Sequence, residues 1–348
     1  MVSRITTAAL VAAMAIGGAA TAQARDLSVV GWGGAFQEAQ KEVYFGPFMD
    51  KTGIKMTDES WDGGIGVLRA KVEGGNATWD VVEVESDELA VGCEEGLFQP
   101  LDWSKIGGKD AYIPSATHEC GVGTIAYDFV MGYDKDKLKT APTSWADFFD
   151  TKKFPGKRAL RGGAKSTLEF ALIGDGVAPK DVYKVLSTPE GVDRAFKKLD
   201  TIKKDLIFWK AGAQPPQLLA SGEVVMTSVY NGRIDAANKN DRRNFGIVWN
   251  GALFTVDSWV ILKGSPNTEA AYKFLDFVGK PETQAKLTPF IAYGPTAKGA
   301  NKFIAAKRLP DMPTADENMK NVVTISSAFW LENIDRLNDR FNKWAATK

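Results

Sequence analysis

Short apolar segments alternate with amphipathic segments along this chain, and that alternation constrains its fold more than any other feature. The predicted strands are 27–32, 79–84, 245–249 and 258–262, and the predicted helices are 35–50, 269–278 and 333–344. Strands that alternate with helices are typical of α/β domains with mostly parallel sheets. We find no low-complexity linker, so a division into two domains would be bridged by strands that cross between them.

The first 24 residues are predicted to be a secretory signal peptide. Arg4 supplies the positive charge, residues 8–20 form a short apolar run, and residues 22–24 form a small-residue cleavage motif. The apolar run is shorter than the ~20 residues of a membrane-spanning helix. The sequence therefore predicts an exported, soluble protein of the periplasm.

The charges of the chain argue against a nucleic-acid partner. The sequence has 43 Lys and Arg and 43 Asp and Glu, and loss of the signal peptide removes one of the cations. Binding to phosphate backbones requires a clear excess of positive charge. A small charged ligand is still compatible with this composition, because local charges bind it.

The two cysteines, Cys93 and Cys120, are predicted to form a disulfide, because exported proteins encounter an oxidising environment. A loop of this length would stabilise the fold by about 3–4 kcal/mol in the chain-entropy model. His118 is the single histidine and lies near Cys120, but no further soft ligands cluster with this pair. We therefore predict neither a metal site nor a catalytic thiol.

Two motifs that could belong to an enzyme fail on inspection. The stretch GGAKST at 162–167 lacks the glycine spacing of a nucleotide phosphate loop, and no glycine-flanked serine accompanies the histidine. Ser166 and Glu169 do have the spacing of a capping box, which predicts a helix start whose free N–H groups favour an anion. The sequence therefore gives little support for an enzyme, and it predicts no cofactor.

The stretch VVMTSVYNGRID at 224–235 begins as a buried strand and ends with Tyr230 and Arg233. Ligands of open α/β sheets bind at the carboxyl ends of the strands, so Arg233 is a candidate for binding an anion. The alternative is an exposed arginine that pairs with Asp235 or Asp241. Trp209 also stands near a strand end and is a candidate, although packing in the core is the favoured explanation for it.

Eight stretches, in this order, resemble the periplasmic spermidine- and putrescine-binding proteins of ABC importers: VVGWGG, KTGIKM, WDVV, TSWADFFD, LASGEVVM, VDSWVIL, AAYKFLDF and AYGPT. This family has a branch that binds 4-aminobutyrate, and the chain also resembles that branch. The resemblance spans the mature chain and implies a type II periplasmic binding protein. Its two α/β lobes, each a mostly parallel sheet flanked by helices, would be joined by crossing strands.

The resemblance also implies domain boundaries and partners. It assigns 25–130 and 254–297 to the first lobe, and 131–253 and 298–348 to the second. Such a protein would act as a monomer, close on one small molecule and dock on an ABC permease in the inner membrane.

Five residues match family positions that bind a polyamine. Trp32 matches a tryptophan that lies along the alkyl chain, and Asp257 matches a carboxylate that binds an ammonium group. The other matches are Ser86, Tyr230 and Tyr293.

Departures from the family pattern change the charge that is expected at one end of the ligand site. Polyamine binders carry acids at positions that match Gly163 and Ser166, and putrescine binders carry an acid where this chain has Arg233. An aromatic residue expected before Asp257 is replaced by Thr255. A diamine needs a carboxylate at both ends, because an unmatched buried charge costs several kcal/mol.

We therefore predict a zwitterionic ligand with separated charges, such as 4-aminobutyrate or another ω-amino acid. Arg233 would bind its carboxylate with the planar guanidinium, and Asp257 would bind its ammonium. Trp32, Tyr230 and Tyr293 would pack on the methylene groups between them.

Two other kinds of ligand are bound by proteins of similar fold. Polyamines would bind if Glu83, Glu85 or Asp87 supplied the second carboxylate. Ferric iron is bound by similar folds through neighbouring tyrosines, and this sequence has no Tyr-Tyr pair.

Overall fold

A computed structural model describes residues 25–74 and 78–347, so the predicted signal peptide lies outside the described residues. Residues 27–31 form a parallel strand in which every residue is buried, whereas the polar residues 56–60 form a mostly exposed strand at the edge of the sheet. The strands are β1 Leu27–Gly31, β2 Met56–Ser60, β3 Val81–Val84, β4 Gly121–Asp134, β5 Arg158–Arg161, β6 Leu206–Trp209, β7 Met226–Tyr230, β8 Phe245–Ile261, β9 Gly294–Pro295 and β10 Val323–Thr324.

The strands form one continuous sheet with two parallel halves. Its order is β2-β1-β3-β8-β4-β7-β5-β6, with β9 beside β4 and β10 beside β8. The first half contains β1, β2 and β3, whose mutual pairings are parallel. The second half contains β5, β6 and β7, which also pair in parallel.

The long strands β4 and β8 run antiparallel through the middle of the sheet and belong to both halves. Residues 258–261 of β8 pair with β3, whereas residues 129–133 of β4 pair with β7. The expected crossing strands are therefore present. The β4–β8 register shifts between Gly123 and Ile125 and again between Phe129 and Met131.

One strand prediction was wrong. The segments 245–249 and 258–262 were expected to be separate strands, but β8 is continuous from Phe245 to Ile261. The intervening residues are held in the sheet by pairing with β4 and, at Leu253 and Phe254, with β10. These partners are distant in sequence, so local propensity did not reveal them.

Helices cover the sheet. They are α1 Gly34–Gln40, α2 Gly46–Thr52, α3 Ile65–Glu73, α4 Ser86–Glu94, α5 Trp145–Phe149, α6 Thr167–Gly174, α7 Val182–Leu186, α8 Pro189–Asp200, α9 Gln214–Ser221, α10 Asn231–Asn240, α11 Thr268–Val278, α12 Pro281–Ala285 and α13 Ser327–Ala346. A π-helical turn, Lys41–Phe45, joins α1 to α2. Shorter 3₁₀ turns are Trp103–Ile106, Lys109–Ala111, Pro114–Ala116, Pro179–Asp181, Lys203–Asp205, Ala300–Phe303 and Ala306–Asp311.

The predicted helices are present, and the last of them begins earlier than expected. It was predicted over 333–344, but α13 starts at Ser327 because the Ser326 hydroxyl accepts a hydrogen bond from the Phe329 N–H at 3.2 Å. Its buried residues Leu337 and Phe341 lie four positions apart on one face.

The predicted disulfide is present in the structure. Cys93 at the end of α4 is bonded to Cys120 beside β4, with 5.7 Å between their Cα atoms. This bond ties α4 to the first half of the sheet. Within residues 25–74 and 78–347, no helix combines the length and the apolar character that crossing a membrane requires.

Candidate ligand-binding site

A cavity lies where the carboxyl ends of the parallel strands of both halves converge. Each of these six strands contributes a residue at or just after its last position, as expected for open α/β sheets. The lining residues are Trp32, Phe36, Trp61, Asp62, Glu85, Ile125, Tyr127, Arg161, Lys210, Gly212, Tyr230, Arg233, Asp257 and Tyr293.

Aromatic rings form opposite walls of this cavity. Trp32, after β1, stacks on Trp61 with ring centroids 5.2 Å apart. From the second half, Tyr230 packs edge-on against Tyr127 at 5.4 Å, and Tyr127 lies 6.0 Å from Tyr293. Such rings provide flat, apolar surfaces on which methylene groups can pack.

The Tyr-Asn-Gly-Arg sequence has a separate structural role for each of its central residues. Asn231 accepts a hydrogen bond from the Asp128 N–H at 3.1 Å and donates one to the Ala292 carbonyl at 2.6 Å. A Cβ at Gly232 would lie 2.5 Å from the Tyr293 ring, so only glycine allows this close approach. The start of α10 is thereby held against β4 and the loop that carries Tyr293.

Arg233 reaches from the second half of the sheet to the first. Its Nη1 donates to the Gly33 carbonyl at 2.9 Å and its Nη2 to the Trp32 carbonyl at 3.2 Å. Gly34 has φ +60°, and a Cβ there would lie 2.8 Å from Nη1. The absence of a side chain at Gly34 thus leaves room for the guanidinium.

One donor of Arg233 is left without an acceptor among the residues that the structure describes. The side chain is 4% exposed, and its Nε has no hydrogen-bond partner among the described residues. A buried charged donor that lacks a partner is unfavourable unless a ligand supplies the acceptor. The alternative of a solvent-exposed Arg233 paired with Asp235 is wrong, because Asp235 binds Lys239 and Arg308 instead.

Asp257 provides a carboxyl group on the floor of the cavity. It lies on β8 directly opposite Ile125 of β4, so its side chain shares a face with Ile125 and Tyr127. It is 3% exposed, and its Oδ1 has no partner among the described residues. Burial, reinforced by the charges of Glu85 and Glu83, raises the pKa of Asp257 well above its ordinary value.

A second carboxylate on the cavity wall, Glu85, is fully paired within the protein. Arg161 Nη1 donates to both of its oxygens at 2.8 Å, and Lys165 Nζ donates to Oε2. The Tyr230 hydroxyl donates to Oε1 at 3.2 Å. Burial acts to raise the pKa of Glu85, but the two cations outweigh it and lower that pKa to about 2.

Five of the eight predicted site residues line the cavity, namely Trp32, Tyr230, Arg233, Asp257 and Tyr293. The other three lie outside its wall. Ser86 accepts a hydrogen bond from Thr255 at 3.1 Å, and Trp209 packs behind Tyr230 at 5.6 Å. Ser166 is fully buried at the start of α6.

The capping box predicted at Ser166 does not form. Ser166 has φ +67°, and its hydroxyl makes no capping hydrogen bond. The carboxylate of Glu169 instead accepts hydrogen bonds from Tyr183 at 2.9 Å and from Trp330 at 2.8 Å. Tertiary partners therefore replace the local capping interaction.

Sequence reasoning missed Arg161, Tyr127 and Phe36 as wall residues. Arg161 ends strand β5 and is followed by two glycines, the same pattern of strand end, charge and glycine that identified Arg233. That signal was available in the sequence. Tyr127 and Phe36 lie within a strand and a helix of ordinary composition, which gave no local signal.

This cavity can bind a small charged molecule through Arg233 and Asp257. No serine, cysteine or histidine is among its lining residues. No group of three or more His, Cys, Asp or Glu within the described ranges could hold a metal ion. A sheet with two parallel halves, crossing strands and a cavity between the halves lined by aromatic and charged side chains is the architecture of a two-lobe solute-binding protein.

Comparison with known proteins identifies the family. The chain belongs to the bacterial extracellular solute-binding proteins, whose family model matches residues 44–320. The gamma-aminobutyric acid-binding protein of Pseudomonas aeruginosa is 46% identical over 333 residues, which cover 96% of this chain and 94% of that protein.

Two further comparisons give the range of the family. A solved structure of a GABA receptor is 36% identical, with a TM-score of 0.81, and the match covers 93% of this chain and 98% of that one. The spermidine/putrescine-binding periplasmic protein 1 of Haemophilus influenzae is 25% identical over 286 residues, which cover 77% of this chain and 74% of that protein.

These findings confirm the predicted resemblance, fold class and protein class. The chain is a two-lobe α/β binding protein of the type II class and not an enzyme. Its family implies a small-molecule ligand and an ABC transporter as partner.

Proposed function

We propose that this protein captures 4-aminobutyrate or a closely related ω-amino acid and delivers it to an ABC permease. One observation carries the proposal. The wall of a single aromatic cavity presents a buried guanidinium and a buried carboxyl group, Arg233 and Asp257, each with an atom that has no partner among the described residues. A zwitterion with separated charges satisfies both groups, whereas a molecule of one sign satisfies only one.

The carboxylate of the ligand would accept a hydrogen bond from Arg233 Nε. Nη1 and Nη2 each donate one hydrogen to a carbonyl, and each has a second hydrogen. A side-on contact through Nε and an adjacent Nη is the bidentate geometry that arginine forms with carboxylates. Lys210 lines the same cavity but is exposed, so solvent screens its charge.

The ammonium of the ligand would bind Asp257 Oδ1. Between the two charged ends, the methylene chain would pack on Trp32, Tyr230 and Tyr293. The space open to the centres of water molecules in this cavity is about 20 Å³, and one water needs ~10–15 Å³. The cavity is therefore narrow in this state, and a ligand would enter it when the lobes separate.

Polyamine capture is the second candidate function, since polyamine-binding proteins are among the relatives. The charge of the site favours the first candidate. Of the three acids named for a second ammonium, Glu85 is already bound by Arg161 and Lys165 and Asp87 by Lys165. Glu83 is buried and is not among the residues that line the cavity.

The proposed lobes are residues 25–130 with 254–297, and residues 131–253 with 298–348. We propose that the protein is a periplasmic monomer, exported through a signal peptide at residues 1–24, and that its ligand-bound, closed form docks on the permease. Closure would follow from contacts that the ligand makes with both lobes at once.

Isothermal titration calorimetry with 4-aminobutyrate, putrescine, spermidine, proline and glycine betaine tests the proposal. We expect 4-aminobutyrate to bind most tightly, and we expect Asp257→Asn to lose binding of every amine. If putrescine binds the wild-type protein more tightly than 4-aminobutyrate, the proposed ligand is wrong and the polyamine function replaces it.

A further inference from the structure

The cavity contains more acid than a ligand with one ammonium group requires. Asp257 and Glu85 both line it, and they come from different strands, β8 and the end of β3. In principle such a pair of carboxylates could bind the two ends of a diamine. The structure gives the two acids different surroundings.

The partners of Glu85 are cations of the protein itself. Arg161 and Lys165 come from the second half of the sheet and reach across to Glu85 in the first half. Lys165 also binds Asp87. Two carboxylates thus face two cations, with side-chain exposures of 4–14%.

Two other acids, Asp62 and Glu88, lie near these four charged residues but do not change the charge balance at the cavity wall. Asp62 lines the cavity but is exposed, so solvent screens its charge. Glu88 accepts hydrogen bonds from the N–H groups of Gly64 and Glu85. Burial and the neighbouring acids Asp87 and Glu85 raise the pKa of Glu88 to about 7.

We propose that Arg161 and Lys165 serve as built-in counter-ions of Glu85 and thereby make the site reject diamines. This inference rests on the proposed function and assigns the residues that determine its specificity. A second ligand ammonium near Glu85 would meet two fixed positive charges and a carboxylate with no unmatched charge. Like-charge contacts of this kind discriminate against wrong ligands more than they improve binding of the right one.

Arg161 is the residue to change, because it lines the ligand cavity whereas Lys165 lines only the adjacent one. In Arg161→Gln one cation is lost and the group becomes negative by one charge. A ligand ammonium can then replace the missing guanidinium. We expect the ratio of the putrescine to the 4-aminobutyrate Kd to fall at least about tenfold, since close charge pairs couple at least this strongly in low-dielectric sites.

Three variants separate charge from shape. Arg161→Lys keeps the charge and is expected to keep the wild-type ratio. The double variant Arg161→Gln, Glu85→Gln removes the freed acid and is expected to lose the gain in putrescine binding. Arg194→Gln removes an arginine of the protein surface that pairs with Asp175, and it controls for the loss of any arginine.

Calorimetric titration of each variant with both ligands gives a clear decision. If Arg161→Gln is folded and its Kd ratio equals that of the wild type, the counter-ion proposal is overturned. If Arg161→Gln does not fold, Lys165→Met tests the same charge balance with the same expected ratio. A wild-type protein that does not bind 4-aminobutyrate overturns the proposed function instead.

Discussion

Replacement of Arg233 by methionine tests most directly how the cavity recognises its ligand. Methionine fills similar space with an apolar side chain, so the change removes the guanidinium and both of its hydrogen bonds to the carbonyls of Trp32 and Gly33. A ligand carboxylate would then be buried beside a side chain that can neither donate to it nor balance its charge.

The expected loss follows from the burial of the site. Arg233 is 4% exposed, and removing one partner of a buried ion pair typically costs about 3–5 kcal/mol. This free energy corresponds to a rise of about 10²- to 10⁴-fold in the Kd of 4-aminobutyrate. Arg233→Lys keeps the charge but not the planar fork, so its loss should be smaller, about ten- to a hundredfold.

A second ligand separates a direct contact from a general disturbance of the fold. n-Butylamine has the ammonium and the alkyl chain of 4-aminobutyrate but no carboxylate. Calorimetry should show that Arg233→Met weakens its binding little or improves it. If the variant binds 4-aminobutyrate within about threefold of the wild-type Kd, or if both ligands lose affinity equally, Arg233 does not bind the carboxylate and the reasoning fails.

Three further predictions follow from the same structure. Because the pKa of Asp257 is raised by burial and by neighbouring acids, ammonium binding must displace a proton. Affinity should therefore rise with pH, and the calorimetric enthalpy should change with the ionisation enthalpy of the buffer; no change would contradict this. Burial raises the pKa of Glu169 to about 7, so the folded state holds a proton that the unfolded state releases from pH ~4.5 upward, and stability is lost between those values. Between pH 4.5 and 8 the free energy of unfolding of Glu169→Gln should fall by about 3 kcal/mol less than that of the wild type. If urea denaturation shows the same pH dependence for both proteins, the prediction is refuted. Gly34→Ala should weaken 4-aminobutyrate binding more than Gly53→Ala, because both glycines have positive φ but only the Cβ at position 34 would meet the guanidinium described above; equal Kd values would refute it.

The fold could be predicted from the sequence because its signals are local. Apolar runs and amphipathic stripes mark the strands and helices, and their alternation predicts the parallel halves. The continuity of β8 could not be predicted in this way. It depends on pairing with β4, whose residues lie more than a hundred positions earlier in the chain.

The cavity lining was predictable where a residue lies at or just after the end of a strand. Trp32, Tyr230 and Arg233 lie there, and so does the overlooked Arg161. Whether such a charge is free for a ligand was not predictable. Arg161 is bound by Glu85, which lies 76 residues away in sequence, whereas Arg233 Nε has no partner in the part of the chain that the structure describes.

The two register shifts between β4 and β8 have a mechanical consequence. They lie between Gly123 and Ile125 and between Phe129 and Met131, on either side of the stretch that carries Tyr127. Irregular pairing is where a ladder bends and twists most easily. Rotation of one lobe against the other would therefore twist β4 and β8 at these two places. The stretch of β4 that carries Tyr127, in the floor of the cavity, would rotate with them. We therefore expect ligand affinity and the angle between the lobes to vary together, because both depend on the twist of the same two strands.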